Sequence, residues 1–246
     1  MPFAFALYPC PMSQHIGIVA CSAEGAALCY RTICDEAPGV MGRHMHPEVS
    51  MHTIPLGRYM EFINKGDWRS VARLMLESAK KLKSIGAEFL ICPDNTIHHA
   101  MPFLLPESPL PWLHVAEEVA AEAHRRGFRK LAITGTRVTM EGTVYPDILK
   151  KAGLDFRTPS PLDREKIDKI IFDELVNGIF RSESLGVFRA IIERLKSEGC
   201  DAVVLGCTEI PLLVTPESSP LPVLDSTRLL ARAAIRRAVG DAAGAK

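Results

Sequence analysis

The feature that most constrains the fold of this chain is an internal repeat. Residues 82–88 read LKSIGAE and residues 195–201 read LKSEGCD, at an offset of 113 positions (195 − 82 = 113), and each copy leads directly into a short apolar run. A short apolar run that follows a glycine-containing turn is typical of a buried strand. The sequence therefore predicts two related halves, each with a helix that ends at the repeat and a strand that follows it.

The same offset aligns two chemically active side chains. Asp94 follows the first apolar run and Cys207 follows the second (94 + 113 = 207). In open α/β sheets, ligands bind just beyond the carboxyl ends of the strands. We therefore expect Asp94 and Cys207 in equivalent loops that face each other across a cleft, an arrangement suited to chemistry on two faces of one small molecule. Cys92 lies two residues before Asp94 and does not match Cys207 in this alignment.

Predicted strands alternate with predicted helices along the whole chain, which favours an α/β fold with parallel sheets. We expect two similar lobes, each a parallel sheet flanked by helices, related by a pseudo-twofold axis with the active site in the cleft between them. Residues 1–107 form the first predicted lobe and residues 108–220 the second, and the C-terminal segment 221–246 is predicted to return to the first. The 246 residues are enough for two such units, of roughly 110 to 130 residues each.

Composition narrows the class of partner. Lys plus Arg and Asp plus Glu number 29 each, so the chain has no net charge to attract nucleic acid or an anionic membrane. No apolar run approaches the roughly 18 residues of a membrane span. The seven cysteines include no C-x-x-C pair, which argues against a disulfide framework and a structural zinc site and favours the reducing cytoplasm. The expected partner is a small molecule.

The two aligned loops carry hydrogen-bonding side chains after the titratable one, in the sequences PDNTIH and GCTEIP. Cys207 lies at a predicted strand end beside a predicted helix N-terminus, where backbone amides lower a thiol pKa. A free cysteine is, however, often only a small buried apolar residue. Asp94, placed before Asn-Thr, is equally suited to a turn or a helix N-cap. The residues alone leave both alternatives open.

Several motifs, separated along the chain, give more information about function when they are taken together. They are Gly66-Asp67-Trp68, Asn95-Thr96-x-His98, His114, Gly135-Thr136-x-x-Thr139-Met140, the GCTEIP sequence at 206–211, and Asp225-Ser226-Thr227. Together, in this order over residues 17–234, they resemble the cofactor-independent aspartate/glutamate racemases. The resemblance implies a homodimer that uses no cofactor and no metal. In that family, two cysteines flank the α-carbon of an acidic amino acid, and one removes the α-proton while the other returns a proton to the opposite face.

The resemblance also implies roles for individual residues. Cys207 matches the second catalytic cysteine, and Asp94 stands where the family has the first. The α-carboxylate and amine of the substrate would be held by Asn95, Thr96 and Thr208, with Ser22 and Thr139 completing the pocket. A distal carboxylate calls for a planar bidentate donor. Arg181 matches the position of a basic residue in the family, and Arg58 is a second candidate.

The unequal pair leaves three functional alternatives open. The first is an amino-acid racemase or epimerase with Cys207 and Asp94 as opposed acid/base groups. Free Asp titrates near 4 and free Cys near 8.5, so we expect one direction of proton transfer to be faster than the other. The second is a single-cysteine decarboxylase or cis–trans isomerase of a diacid. The third is a binding protein that keeps the pocket and has lost the reaction.

Overall fold

The computed structural model describes residues 13–240, which form two parallel sheets with helices on both faces of each. The strands are β1 Ile16–Ala20, β2 Val49–Thr53, β3 Phe89–Ile91, β4 Lys130–Gly135, β5 Asp155–Arg157, β6 Ala202–Gly206 and β7 Val223–Asp225. The helices are α1 Ala23–Glu36, α2 Pro38–Met41, α3 Leu56–Ile63, α4 Trp68–Ser84, α5 Met101–Leu104, α6 Val115–Arg125, α7 Arg137–Glu141, α8 Val144–Lys151, α9 Pro161–Asp173, α10 Ser182–Ser197 and α11 Ser226–Val239. Short 3₁₀ helices cover Thr96–Ala100, Leu105–Glu107, Leu175–Asn177 and Ile210–Leu212.

The two sheets repeat one plan. The first has the strand order β2-β1-β3 and the second β5-β4-β6-β7, and all pairs are parallel. Ile16 pairs with Phe89 in the first sheet, and Leu131 pairs with Ala202 in the second, so that the partners in β3 and β6 again differ by 113 positions (202 − 89 = 113). The predicted class, two α/β lobes with parallel sheets flanked by helices, is confirmed.

Burial explains why the central strands read as continuous apolar runs. Every residue of β1, β3 and β6 is buried, as expected for parallel strands covered by helices on both faces. One face of the first sheet packs on α4, and the Asp67 carboxylate caps the start of this helix by accepting a hydrogen bond from the Ser70 N–H at 3.0 Å. Among the described residues, no helix is both long enough and apolar enough to cross a membrane.

The predicted return of the chain to the first lobe needs a correction. Strand β7 pairs with β6, so residues 223–225 complete the second sheet and not the first. The first sheet ends in the same way, because Trp112 forms a parallel bridge with Leu90. A backbone that leaves β3 or β6 gains hydrogen bonds by extending the edge of the sheet it already belongs to. Of the predicted segment, residues 241–246 lie outside the described part, as do residues 1–12.

The helices after these edge segments cross between the lobes. Helix α6 follows Trp112 and packs in a buried cluster with β4 and β6 of the second sheet. Helix α11 follows β7 and packs in a cluster with β1, β3 and α1 of the first. Each of these two helices therefore packs on the lobe opposite to the strand it follows, which holds the two lobes together. The candidate site lies at the carboxyl ends of the two sheets. The exact limits of the lobes remain a prediction.

Candidate active site

Asp94 and Cys207 lie where the repeat predicts them. Asp94 follows β3 and Cys207 follows β6, and both line one cavity between the lobes. Helices α3 and α9 supply an apolar wall to this cavity, which includes Met60, Ile171 and Phe172. A buried or half-buried pair of titratable groups beside an apolar wall is a typical arrangement for an active site.

The Asp94 carboxylate is held through both oxygens. The Cys21 thiol donates to Oδ2, with Sγ and Oδ2 3.1 Å apart, and the Ile97 N–H donates to Oδ1 at 3.3 Å. Burial raises the pKa of Asp94 above its ordinary value, the hydrogen bond from Cys21 opposes that shift, and the charge of Glu209 adds to it. Asp94 is therefore a stronger base than an exposed aspartate.

Cys207 is only 8% exposed, and its thiol donates to Glu209, with Sγ and Oε2 3.1 Å apart. Burial raises the pKa of Cys207 well above its ordinary value, and the charge and hydrogen bond of Glu209 raise it further. The expectation of a pKa lowered by a helix N-terminus is wrong. The residues after Glu209 form only a three-residue 3₁₀ helix, and the buried carboxylate beside the sulfur disfavours the thiolate.

A cluster of threonine hydroxyls borders the cavity that Asp94 and Cys207 line. The Oγ1 atoms of Thr96, Thr136 and Thr139 lie 3.0 to 3.2 Å from one another. Thr96 and Thr136 line the cavity, whereas Thr139 is buried and supports them from behind. Ser22 also lines the cavity, and its Oγ lies 3.3 Å from the Oγ1 of Thr208. These side chains provide several donors that can rotate toward a carboxylate.

Asn95, predicted to hold the substrate, lies behind the cavity and not in its lining. Its side chain is buried, accepts a hydrogen bond from the Tyr145 hydroxyl at 2.6 Å and donates one to Ser226 at 3.0 Å. Both ends of the amide are thus used to join the lobes, and Asn95 is not among the residues lining the cavity. Thr208 is likewise buried, and its hydroxyl donates to Glu209 at 2.7 Å.

The two predicted arginines do not line the cavity. Arg58 is exposed on α3. Arg181 is the N-cap residue of α10, where its side chain is 60% exposed and lies 3.7 Å from the Glu174 carboxylate. The one cationic side chain among the described lining residues belongs to Arg137, at the start of α7.

His98 fixes the loop that carries Asp94. Its Nδ1 lies 2.7 Å from the Asp94 carbonyl oxygen, and its Nε2 lies 3.4 Å from the Val115 N. A carbonyl can only accept and an N–H can only donate, so Nδ1 carries the proton. Burial lowers the pKa of His98 well below its ordinary value, which keeps the ring neutral. Among the described residues, no group of three or more His, Cys, Asp or Glu side chains could hold a metal ion.

Several residues of the site escaped the sequence reasoning. Glu209 and Thr136 appear in the motifs, and Cys21 directly precedes Ser22, but none of the three was given a role there. Cys21 and Thr136 follow β1 and β4, the strands that neighbour β3 and β6. Their position after a strand end could have identified them. Nothing in the sequence indicates that Tyr145 and Ser226, 50 and 131 residues from Asn95, would meet at its amide.

Contact between the lobes at Thr208 requires a glycine, and this gives a testable prediction. A Cβ atom on Gly25 of α1 would lie 2.1 Å from the Cβ of Thr208. We expect Gly25→Ala to force the lobes apart and to lower the free energy of unfolding, measured in urea, by about 1–3 kcal/mol. Gly186 of α10 is the matched control, since nothing lies within 4 Å of its Cβ position. Gly186→Ala should raise stability by about 0.5–1 kcal/mol, and equal stability of the two variants would contradict the contact.

Comparison with known proteins agrees with this geometry. The family model described as Asp/Glu/hydantoin racemase matches residues 16–234. The chain belongs to this family. A putative Asp/Glu racemase from Yersinia pestis has a similar solved structure, with a TM-score of 0.83 and 30% sequence identity over 92% of this chain and 100% of that one. The predicted family, and with it an isomerase of the racemase type, is confirmed.

Two curated relatives of this racemase-family chain carry activity names. It is 21% identical to the broad specificity amino-acid racemase RacX of Bacillus subtilis, over 82% of this chain and 86% of that protein. It is 31% identical to a glutamate racemase of Thermus thermophilus, over 68% of this chain. The match spans 61% of the length of that glutamate racemase. The homodimer and the cytoplasmic location remain predictions.

Proposed function

We propose that this racemase-family protein inverts the α-carbon of an acidic amino acid, with Cys207 and Asp94 as opposed acid/base groups. One observation carries the proposal. Two titratable side chains, at the ends of equivalent strands of two related lobes, line the same cavity. Groups on opposite walls can reach opposite faces of an α-carbon, and inversion without a covalent intermediate requires this.

The proton states of the pair favour one direction of the reaction. Burial and Glu209 keep Cys207 as a thiol, because its pKa is raised well above the ordinary value. Burial raises the pKa of Asp94 as well, but both of its oxygens accept hydrogen bonds, from Cys21 and Ile97, and these favour the carboxylate. The resting pair is then a carboxylate at 94 and a thiol at 207. Asp94 removes the α-proton of the enantiomer that presents it, and Cys207 gives its own proton to the opposite face.

The reverse reaction uses the opposite pair of states. It needs a thiolate at Cys207 and a carboxylic acid at Asp94, and that pair is rare at neutral pH because the proton lies on the less favoured group. The expected asymmetry lies in kcat and KM for each enantiomer taken separately. The ratio kcat/KM must be equal in the two directions, because two enantiomers have equal free energy.

Hydroxyl donors around the cavity supply electrostatic stabilisation. As the α-proton leaves, negative charge develops on the substrate carboxylate, and donors already aimed at it lower the barrier. Ser22, Thr96 and Thr136 line the cavity and are the groups proposed to hold that carboxylate or the amine. Asn95, Thr139 and Thr208 act from behind, by fixing the loops on which those donors stand.

The acidic side chain of the substrate is the finer part of the proposal. A distal carboxylate needs a cation, and Arg137 lines the cavity. Arg181 is the alternative, since it follows the segment Val176, Asn177 and Gly178 that lines the adjoining opening beside Cys21 and Ser22. Release of Arg181 from Glu174 would let its long side chain turn toward the opening. An acidic substrate is thus supported by Arg137 in the lining, and by Arg181 only through its closeness in sequence to the adjoining opening.

The test uses each enantiomer of aspartate and glutamate in deuterated water. Proton NMR follows the loss of the α-proton signal, and chiral chromatography follows inversion. We expect inversion with deuterium in the product, because the returned proton comes from a solvent-exchanged group. Release of carbon dioxide without inversion would contradict the proposal, as would thermal stabilisation by the amino acids without any exchange.

A further inference from the structure

Each lobe contributes a thiol paired with a carboxylate, and the two groups are exchanged between the lobes. In the second lobe the thiol of Cys207 follows β6, and its partner is the Glu209 carboxylate, 3.1 Å away. In the first lobe the carboxylate of Asp94 follows β3, the strand equivalent to β6, and its partner is the Cys21 thiol, also 3.1 Å away. After the equivalent strands β3 and β6, the first lobe thus has the carboxylate and the second lobe the thiol. At the partner positions the arrangement is reversed, with the thiol in the first lobe and the carboxylate in the second.

We propose that Cys21 is a positioning residue for Asp94, a role that rests on the proposed function of Asp94 as an acid/base group. The Cys21 thiol fixes Oδ2 of the carboxylate and favours its charged form. Through this one hydrogen bond Cys21 sets both the orientation and the basicity of Asp94.

The position of Cys21 in the fold supports this role. Cys21 directly follows β1, the strand that pairs with β3, so the backbone places it beside the loop of Asp94. Cys21 is 3% exposed, and its sulfur has one polar partner within the described part of the chain, the Asp94 carboxylate. It also lines the opening next to the cavity, together with Ser22 and Glu209.

The Cys21 thiol acts as a hydrogen-bond donor to Asp94. A carboxylate can only accept, so the Cys21 S–H donates, and the bond is strongest when Asp94 is ionised. The Ile97 N–H holds the other oxygen at 3.3 Å, so the plane of the carboxylate is fixed from two sides. When Asp94 gives its proton to the carbanion, the thiol is already in place to stabilise the carboxylate that forms.

The variants that test this role differ only at buried thiols. Cys21→Ala removes the donor, and Cys21→Ser keeps one. Cys92→Ala is the matched control, because Cys92 is a buried thiol in the same cluster whose sulfur lies 3.8 Å from the backbone oxygen of Asp94 and makes no bond to its carboxylate. Circular dichroism confirms that each variant is folded. The readouts are the ¹³C NMR titration of the Asp94 carboxyl, assigned with Asp94→Asn, and the kinetics of inversion.

We expect the pKa of Asp94 to rise in Cys21→Ala and to stay near the native value in Cys21→Ser and Cys92→Ala. We expect kcat to fall about tenfold in Cys21→Ala with KM little changed, because the Asp94 carboxylate is then held by the Ile97 N–H alone and loses its fixed orientation toward the α-carbon. A titration or a kcat in Cys21→Ala equal to that of Cys92→Ala would overturn the inference. If the native protein inverts no substrate, the proposed function fails, and the titration alone then decides whether Cys21 controls Asp94.

Discussion

Replacement of Cys207 by alanine should abolish inversion of both enantiomers. The variant loses the acid/base group proposed to act opposite Asp94, so a proton removed by Asp94 should return only to the face it left. General acid/base groups contribute factors of roughly 10²–10⁴ to enzymatic rates, and we expect a loss of at least about 10²-fold in kcat. Chiral chromatography of the product measures it directly.

Cys200 provides a matched control for this substitution. It is a buried cysteine just before β6, at the end of that strand away from the cleft. Cys200→Ala removes a thiol from the same lobe and leaves the cavity intact, so the rate of inversion should remain close to native. If Cys207→Ala inverts its substrate at the native rate, the proposed role of Cys207 is wrong.

Replacement of Asp94 by asparagine should separate exchange from inversion. The amide keeps the shape of the carboxylate but neither accepts nor gives a proton in this reaction, so inversion should fall by about 10²-fold or more. Cys207 remains able to remove and return a proton on its own face. We therefore expect slow deuterium exchange without inversion in one enantiomer only, followed by proton NMR. Undiminished inversion would exclude Asp94 as an acid/base group.

Asp168 offers a control for the loss of charge. Its carboxylate lines the same cavity and accepts a hydrogen bond from the Arg137 N–H at 2.6 Å. An asparagine can accept the same bond, so Asp168→Asn removes one negative charge from the cavity without removing a proposed acid/base group. We expect this variant to change the rate of inversion by much less than tenfold. If Asp168→Asn lowered the rate of inversion as much as Asp94→Asn, the charge of the cavity, and not proton transfer by Asp94, would control that rate.

The pH dependence of the native protein tests the same residue. As pH falls through the pKa of Asp94, the carboxylate becomes an acid and can no longer remove a proton. For the enantiomer that faces Asp94, kcat should therefore decline on the acid side, with a midpoint above the ordinary value of 3.8 because burial raises the pKa. This acid limb should be absent from the residual exchange of Asp94→Asn.

Local patterns were enough to predict much of this fold. Apolar runs after the two repeats identified β3 and β6, because the burial of a central strand can be predicted from a few neighbouring residues. The edge strand at Val223 was assigned to the wrong lobe. A three-residue edge strand has no periodicity of its own, and only its hydrogen bonds to the sheet reveal which lobe it completes.

The candidate site was likewise predicted only in part. The repeat predicted that Asp94 and Cys207 share a cavity, since loops after equivalent strands of two related lobes face one another. Asn95 was expected to bind the substrate. In the structure, both ends of its amide are instead used in hydrogen bonds to Tyr145 and Ser226. The arginines expected to bind a distal carboxylate, Arg58 and Arg181, lie outside the cavity lining.

By itself, the sequence determined that the chain has two related halves and that an acid and a thiol occupy equivalent positions in them, because a fixed offset between repeats survives folding unchanged. The tertiary structure decided what surrounds each of them. Burial, together with the neighbouring Glu209 carboxylate, raises the pKa of Cys207, although the sequence predicted a helix terminus that would lower it. Cys21 meets Asp94 from 73 positions away. Burial and hydrogen bonding between distant segments set proton affinities, and neither exists until the chain has folded.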